Sequence, residues 1–227
     1  LQKNKCKIKI ANSKKDNTFD VEDFKNKVKG IDLVAINHVS NLDGVVNPIK
    51  EIIKIAHENK ALVLIDAAQS AGHTEIDFNK LNIDFMAFSG HKILGPTGTG
   101  ALIAKKELLE KIEPLNIGGG TVIDSNYDNF KYEDAPQRFE AGLQDYSGII
   151  GLGEAINYFR RIGLDDINRN EVKLNKIYED QEIELNIKEG GKNITIKELL
   201  PGKEIINEIA KIKYNNASLR GGGCKSN

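Results

Sequence analysis

Ser89, His91 and Lys92 stand together where the apolar run "DFMAF" (84–88) ends, and a segment rich in Gly, Pro and Thr follows at 95–100. A lysine at the end of a buried strand is a candidate for Schiff-base chemistry, because desolvation lowers the pKa of an amine and exposes its nucleophilic form. Lys and Arg make up 32 of the 227 residues, so one lysine carries little by itself. Asp66, at the end of the run "ALVLIDAAQ" (61–69), supplies a carboxylate in a comparable setting. Taken singly, each residue also has an ordinary reading: Lys92 as a solvated side chain, Asp66 as a helix cap, His91 as a turn histidine. Gly95, Gly98 and Gly100 can shape a turn; they lack the Gly-Lys-Ser/Thr ending of a phosphate-binding loop. His38, His57 and His73 lack ligand spacing and read as structural or surface residues. The set of rim residues carries the argument.

The elements that must position this set are legible. "DNTFDVEDFKNKVKG" (16–30) predicts a helix with Phe24 and Val28 on one face and Gly30 as a stop. "IDLVAINHVSN" (31–41) is a short, nearly continuous apolar run, as expected of a strand covered on both faces. "NPIKEIIKIAHENK" (47–60) predicts a helix with Asn47 as N-cap and Pro48 at the first helical position. Its stripe is Ile49, Ile52, Ile53 and Ala56. Residues 61–69, "IDFMAFSG" and "TGALIAK" predict three further strands. Residues 116–148 form a long connection rich in turn residues, of the length that tends to be functional or disordered. Helical character returns from Ser147, with a break at Gly163.

Strand and helix alternating in this way indicate an α/β fold with a mainly parallel sheet flanked by helices. In such sheets ligands sit at the carboxyl ends of the strands. The polar residues after successive apolar runs are Asn41, then Asp66 and Gln69, then Ser89, His91 and Lys92, and all should gather at one rim. A carboxylate set against the ring nitrogen of pyridoxal phosphate keeps that nitrogen protonated and makes the ring an electron sink. Ser89 and His91 offer donors for its phosphate.

"HVSNLDGVVNPIKEI", "LVLIDAAQSAGH", "DFMAFSGHKILGPTGTGALIAKKELLE", "IGGGTVI" and "RFEAGLQDYSGIIGLGEAINY" follow in this order. From about Asp20 to about Asp166 the chain resembles the class V aminotransferase superfamily, in its cysteine desulfurase and selenocysteine lyase branch. The resemblance implies the large domain of a fold-type-I pyridoxal-phosphate enzyme over 1–165. It implies an interdomain helix and an incomplete start of a small C-terminal domain over 166–227. It makes Lys92 the Schiff-base lysine and the carrier of the Cα proton, and pairs Asp66 with the pyridinium nitrogen. Gln69 falls to the ring hydroxyl, Ser89 and His91 to the phosphate, and Asn41 beside the cofactor and the substrate carboxylate. Arg138 belongs to a motif near the dimer interface and reads as structural. The implied activity takes sulfur from L-cysteine, leaving L-alanine and an enzyme persulfide for iron–sulfur cluster assembly or another sulfur-transfer route. Expected partners are a second copy of the chain and a sulfur-acceptor or scaffold protein. The alternatives are a selenocysteine lyase, another class V aminotransferase, or a catalytically inactive fragment.

The chain departs from the family at three places. Leu143 stands where the family has a threonine that reaches the phosphate in the partner subunit, so Gln144 or the backbone is left to substitute. Nothing before Asp20 resembles the family's phosphate-binding Gly/Thr turn or its ring-stacking residue, and most of the small domain is missing, so the chain reads as truncated at both ends. "LRGGGCKSN" (219–227) reads either as the loop of the persulfide cysteine, which would then be Cys224, or as the opening of the small domain; the second is preferred, because a thiol on a frayed terminus is not held against a substrate. Cys6 reads as a small hydrophobe in a strand-like run.

The bulk numbers agree with an enzyme of this kind. A formal net charge of −1 offers no global attraction to nucleic acid or an anionic membrane. No apolar stretch approaches the roughly 20 residues of a spanning helix. Two distant cysteines without metal-ligand spacing suggest neither a metal site nor a disulfide framework, and a cytoplasmic location follows as the default.

Overall fold

Val63 and Ile65 have no solvent exposure, and they belong to a strand flanked on both sides within its sheet. The structure, a computed structural model, describes residues 6–179 and the two strands Leu185–Glu189 and Lys192–Ile196. Its main sheet contains β1 (Leu33–Asn37), β2 (Leu62–Asp66), β3 (Phe85–Ser89) and β4 (Gly100–Ala104), in that spatial order. The first three strands are parallel, and β4 returns antiparallel to β3. The carboxyl ends of β1, β2 and β3 therefore share one rim, as expected from the sequence.

One face of this sheet is packed; the other is open at β1 and covered toward β3, where Phe85 is buried. Phe24 and Val28 from the first helix, α1 (Val21–Lys27), and its C-terminal cap join Ile49, Ile52, Ile53, Ile55 and Ala56 of α2 (Ile49–Glu58) in a core with Val63, Ile65 and Met86. Fully burying one such isoleucine stabilises by about 1.5–3 kcal/mol, so this helical stripe dominates the packing. Asp20 caps α1 by accepting from the Asp23 N–H at 3.0 Å. On the open face the alternation shows: β1 runs exposed, half-buried, exposed, half-buried, exposed, and Leu33 is 48% exposed. The expectation that β1 is covered on both faces is thus corrected. Its apolar run is continuous because Leu33 and Ala35 lie on the open face while Val34 and Ile36 face the helices.

A second correction concerns the start of α2. Pro48 is the N-cap residue and contributes no side-chain cap. Asn47 instead turns back to the sheet, donating from Nδ2 to the Asn37 carbonyl at 2.8 Å.

Asp84 locks the amino-terminal end of β3 to its surroundings. Its side chain is 3% exposed. One oxygen accepts from Lys105 Nζ at 2.6 Å, and the other from the Val63 N–H at 2.8 Å and from His57 Nε2 at 2.8 Å. Burial, the largest influence, pushes this carboxyl up, but the Lys105, His57 and Val63 hydrogen bonds outweigh it and hold the pKa below the usual carboxylate value. His57 is structural, as expected.

After β4 come a short helix, α3 (Lys106–Leu109), and a hairpin of β5 (Val122–Ser125) with β6 (Phe130–Tyr132). The long connection at 116–148 is therefore partly ordered. Helix α4 (Tyr146–Ile162) ends at Gly163, whose φ of 90° breaks the helix where the sequence predicts, and α5 (Leu164–Glu179) follows. The chain divides into two compact units, Leu1–Asn168 and Arg169–Asn227. In the second, the described strands β7 (Leu185–Glu189) and β8 (Lys192–Ile196) pair antiparallel.

Candidate active site

The rim is assembled by register. Asn37, Asp66 and Ala87 lie side by side across β1, β2 and β3, and Ser89 stands two residues beyond Ala87 on the same face. The ladder continues past the strands, with the His38 N–H donating to the Asp66 carbonyl and the Ala67 N–H to the Ala87 carbonyl, both at 2.8 Å. Asp66 is exposed at the rim, and its Oδ1 accepts from the Ala68 N–H at 2.9 Å. The turn that follows, closed by Ser70 and Ala71 N–H groups on the Ala67 carbonyl, carries Gln69 half-buried.

Lys92 lies in a 3-10 turn, Gly90–Ile93, that starts directly from Ser89. Ile93 is buried and anchors the turn, while Lys92 is half-buried and His91 exposed. Leu94 ends the turn in the left-handed region, with φ of 60° and its N–H on the Gly90 carbonyl. The Gly90 N–H donates to the Thr99 carbonyl and the Gly95 N–H to the Gly90 carbonyl, each at 2.8 Å. Gly90 is required by close approach, since a Cβ there would overlap Thr99 Oγ1. Helix α4 backs this loop through small residues: a Cβ on Gly151 would come 2.7 Å from Pro96 Cγ. Asp145 caps α4, accepting from the Gly148 N–H at 2.9 Å.

Asn41 stands at the exposed tip of the loop that leaves β1, which is closed at its base by a bridge between Val39 and Val46. The structure thus brings Asp66, Gln69, Ser89, His91 and Lys92 to consecutive strand ends. It puts Asn41 at the same edge, four residues further along its own loop. Among the described residues, no hydrogen bond or ion pair engages the side chains of Asn41, Gln69, Ser89, His91 or Lys92. They are donors and acceptors left available to a ligand.

Other expected residues have different surroundings. Arg138 donates from Nη2 to the Leu109 carbonyl and lies over the Phe139 ring, 5.3 Å from its centroid. Leu143 is 91% exposed. Gln144 Nε2 donates to the Glu140 and Gly142 carbonyls at 2.8 and 3.0 Å, so its amide hydrogens serve its own loop. Cys6 is exposed, and Cys224 lies outside the described residues. His38 lines an open surface depression of about 470 Å³ with Asn47, Pro48 and Ile49. Its Nδ1 is buried without a partner among the described residues, and burial pushes its pKa below the usual imidazole value.

The family model described as Aminotransferase class-V matches residues 1–187, and the chain belongs to that family. Within it, the similar proteins point to the cysteine desulfurase branch. A probable cysteine desulfurase of Pyrococcus abyssi is 43% identical over 176 residues, which cover 77% of this chain and 44% of that protein. A second, from Methanothermobacter thermautotrophicus, is 48% identical over 143 residues, covering 63% of this chain and 36% of its own length. The solved apo structure of cysteine desulfurase from Thermococcus onnurineus NA1 superposes with a TM-score of 0.72 at 45% identity, covering 75% of this chain and 43% of that one. The chain spans less than half the length of each of these relatives.

Members of this family depend on pyridoxal phosphate, and the rim fits that group by the chemistry of its donors. An amine stands at Lys92, a carboxylate at Asp66, and neutral donors at Ser89 and Gln69, all at consecutive strand ends.

Proposed function

We propose that the chain is the cofactor-binding part of a pyridoxal-phosphate-dependent cysteine desulfurase. The observation that carries this reading is the convergence of Lys92, Asp66 and Ser89 on the open face and rim of one sheet, with Lys92 held in a clamped turn. Lys92 would hold the cofactor through Nζ, Asp66 would face its ring nitrogen, Gln69 its hydroxyl, and Ser89 and His91 its phosphate. Asn41 would lie by the substrate carboxylate. When bound, pyridoxal phosphate supplies an electron sink that makes the Cα proton of an amino-acid substrate acidic. Lys92 Nζ, once displaced, is the base that takes up this proton.

The substrate in this reading is L-cysteine. A protein thiolate attacks its sulfur and keeps it as a persulfide, and the carbon skeleton leaves as L-alanine. A homodimer, delivery of sulfur to iron–sulfur assembly, and a cytoplasmic setting belong to the same proposal. Residues 1–165 would be the large-domain core, and 166–227 the interdomain helix and the start of a small domain. A solved cystine C-S lyase bound to cysteine persulfide, 30% identical with a TM-score of 0.57, supports sulfur amino acids as the substrate class. The test is to incubate the chain with pyridoxal phosphate, L-cysteine and a reducing thiol, and to measure sulfide and alanine. Equal amounts of both, abolished by Lys92→Ala, support the reading. Neither product, with the cofactor still bound at Lys92, identifies an inactive binding fragment.

A further inference from the structure

Register pairs Asn37 with Asp66 across the two parallel strands β1 and β2. In-register neighbours point to the same face, and adjacent strands are about 4.8 Å apart, so both side chains stand together on the open side of the sheet, where both are exposed. The amide of Asn37 is oriented. Asn47 Nδ2 donates to the Asn37 carbonyl at 2.8 Å and approaches Asn37 Oδ1 at 3.4 Å. That contact fixes the oxygen side of the amide and leaves Nδ2 with no partner among the described residues. Asp66 has a matching deficit, because its one hydrogen bond, from the Ala68 N–H, engages Oδ1. The second oxygen of an ionised carboxylate accepts more than one donor.

We propose that Asn37 is a positioning residue for Asp66. Its amide hydrogens, unpartnered on the strand next to Asp66, would donate to the free carboxylate oxygen from the β1 side when a cationic ring nitrogen is bound, holding Asp66 in one rotamer and favouring its charged form. The neighbour on the other side, Ala87 of β3, has no group to do this, so beyond the Ala68 N–H a donor from a flanking strand can come to Asp66 from β1 alone. Asn47 supports the arrangement indirectly by fixing the amide, which also explains why it turns toward the sheet rather than capping α2. This inference rests on the assignment of Asp66 to a pyridoxal-phosphate site.

A double-mutant cycle on the full chain tests it, with the dissociation constant of pyridoxal 5'-phosphate read by absorbance titration. Asn37→Leu, which keeps the volume and removes the amide, is expected to weaken binding about 3- to 10-fold, the range of one lost hydrogen bond. In an Asp66→Asn background the same substitution is expected to change the constant less than about 2-fold, because the carboxylate through which Asn37 acts is gone. An equal loss in both backgrounds would mean that Asn37 merely supports the strand, and would overturn the proposal. So would no loss in either background. If the unsubstituted chain fails to bind the cofactor at Lys92, the reading of the site and this inference fall together. If it binds and only the cycle shows no coupling, the inference alone is lost.

Discussion

Ser89 pairs with Gly100 in antiparallel register, so the chain leaves β3, passes through Lys92 and returns to the sheet beside its point of departure. The lysine is thereby carried on a closed loop rooted at the rim, not on a free connection. Between its ends the loop is cinched by the Gly90–Thr99 hydrogen bond and backed by α4.

Gly90→Ala tests this closure. The added methyl has nowhere to go except into Thr99, so the loop must open or shift. Overpacking of this kind costs about 1–3 kcal/mol, to be read as a lowered urea midpoint. The same variant should also lose part of its cofactor binding, since Lys92 is displaced with the loop.

Ile52→Ala tests the packed face. Ile52 has no solvent exposure and lies at the centre of the α2 stripe. Its truncation is expected to cost about 2–5 kcal/mol, measured by chemical denaturation.

Asp84 should make the fold acid-sensitive. Its folded pKa is depressed, so its contribution is fully present above the unfolded carboxyl value of about 3.9 and is lost as pH falls through the lower folded value. Urea midpoints of the wild type and of Asp84→Asn should differ most near neutral pH and converge below about pH 4. A constant gap down to the lowest pH would contradict the assignment. At neutral pH the variant should be less stable by about 1.5–3 kcal/mol, because Lys105 Nζ and the Val63 N–H lose a charged acceptor.

Leu143→Thr tests the departure from the family at the loop after Gly142. Leu143 is almost fully exposed, so the substitution should leave stability within about 0.5 kcal/mol. If two copies assemble and share each site, it should tighten cofactor binding several-fold. The measurement is the dissociation constant at protein concentrations above and below the dimer transition.

Much of this was legible in the residues because it is local. The helical face of Phe24 and Val28 and the break at Gly163, the apolar runs of β2 and β3, and the polar residues that follow them each depend on a few neighbours in sequence. What was not legible depends on pairing between distant segments. The open face of β1 is invisible in a run as apolar as "LVAI", since Leu33 and Ala35 on that face are as apolar as Val34 and Ile36 on the other. Asn47 has the composition of an N-cap and is drawn away by Asn37, ten residues earlier. Asp84 stands at the start of the predicted strand "IDFMAFSG" with no visible partner until the fold brings His57 and Lys105 to it. Asn37, too, gains meaning only once register sets it beside Asp66.

The most direct measurement of the central claim is to load the chain with pyridoxal phosphate, reduce it with borohydride, and map the modified lysine by mass spectrometry. A single major adduct at Lys92 that disappears in Lys92→Ala is expected. Labelling scattered over the surface lysines, and unchanged in that variant, would contradict it.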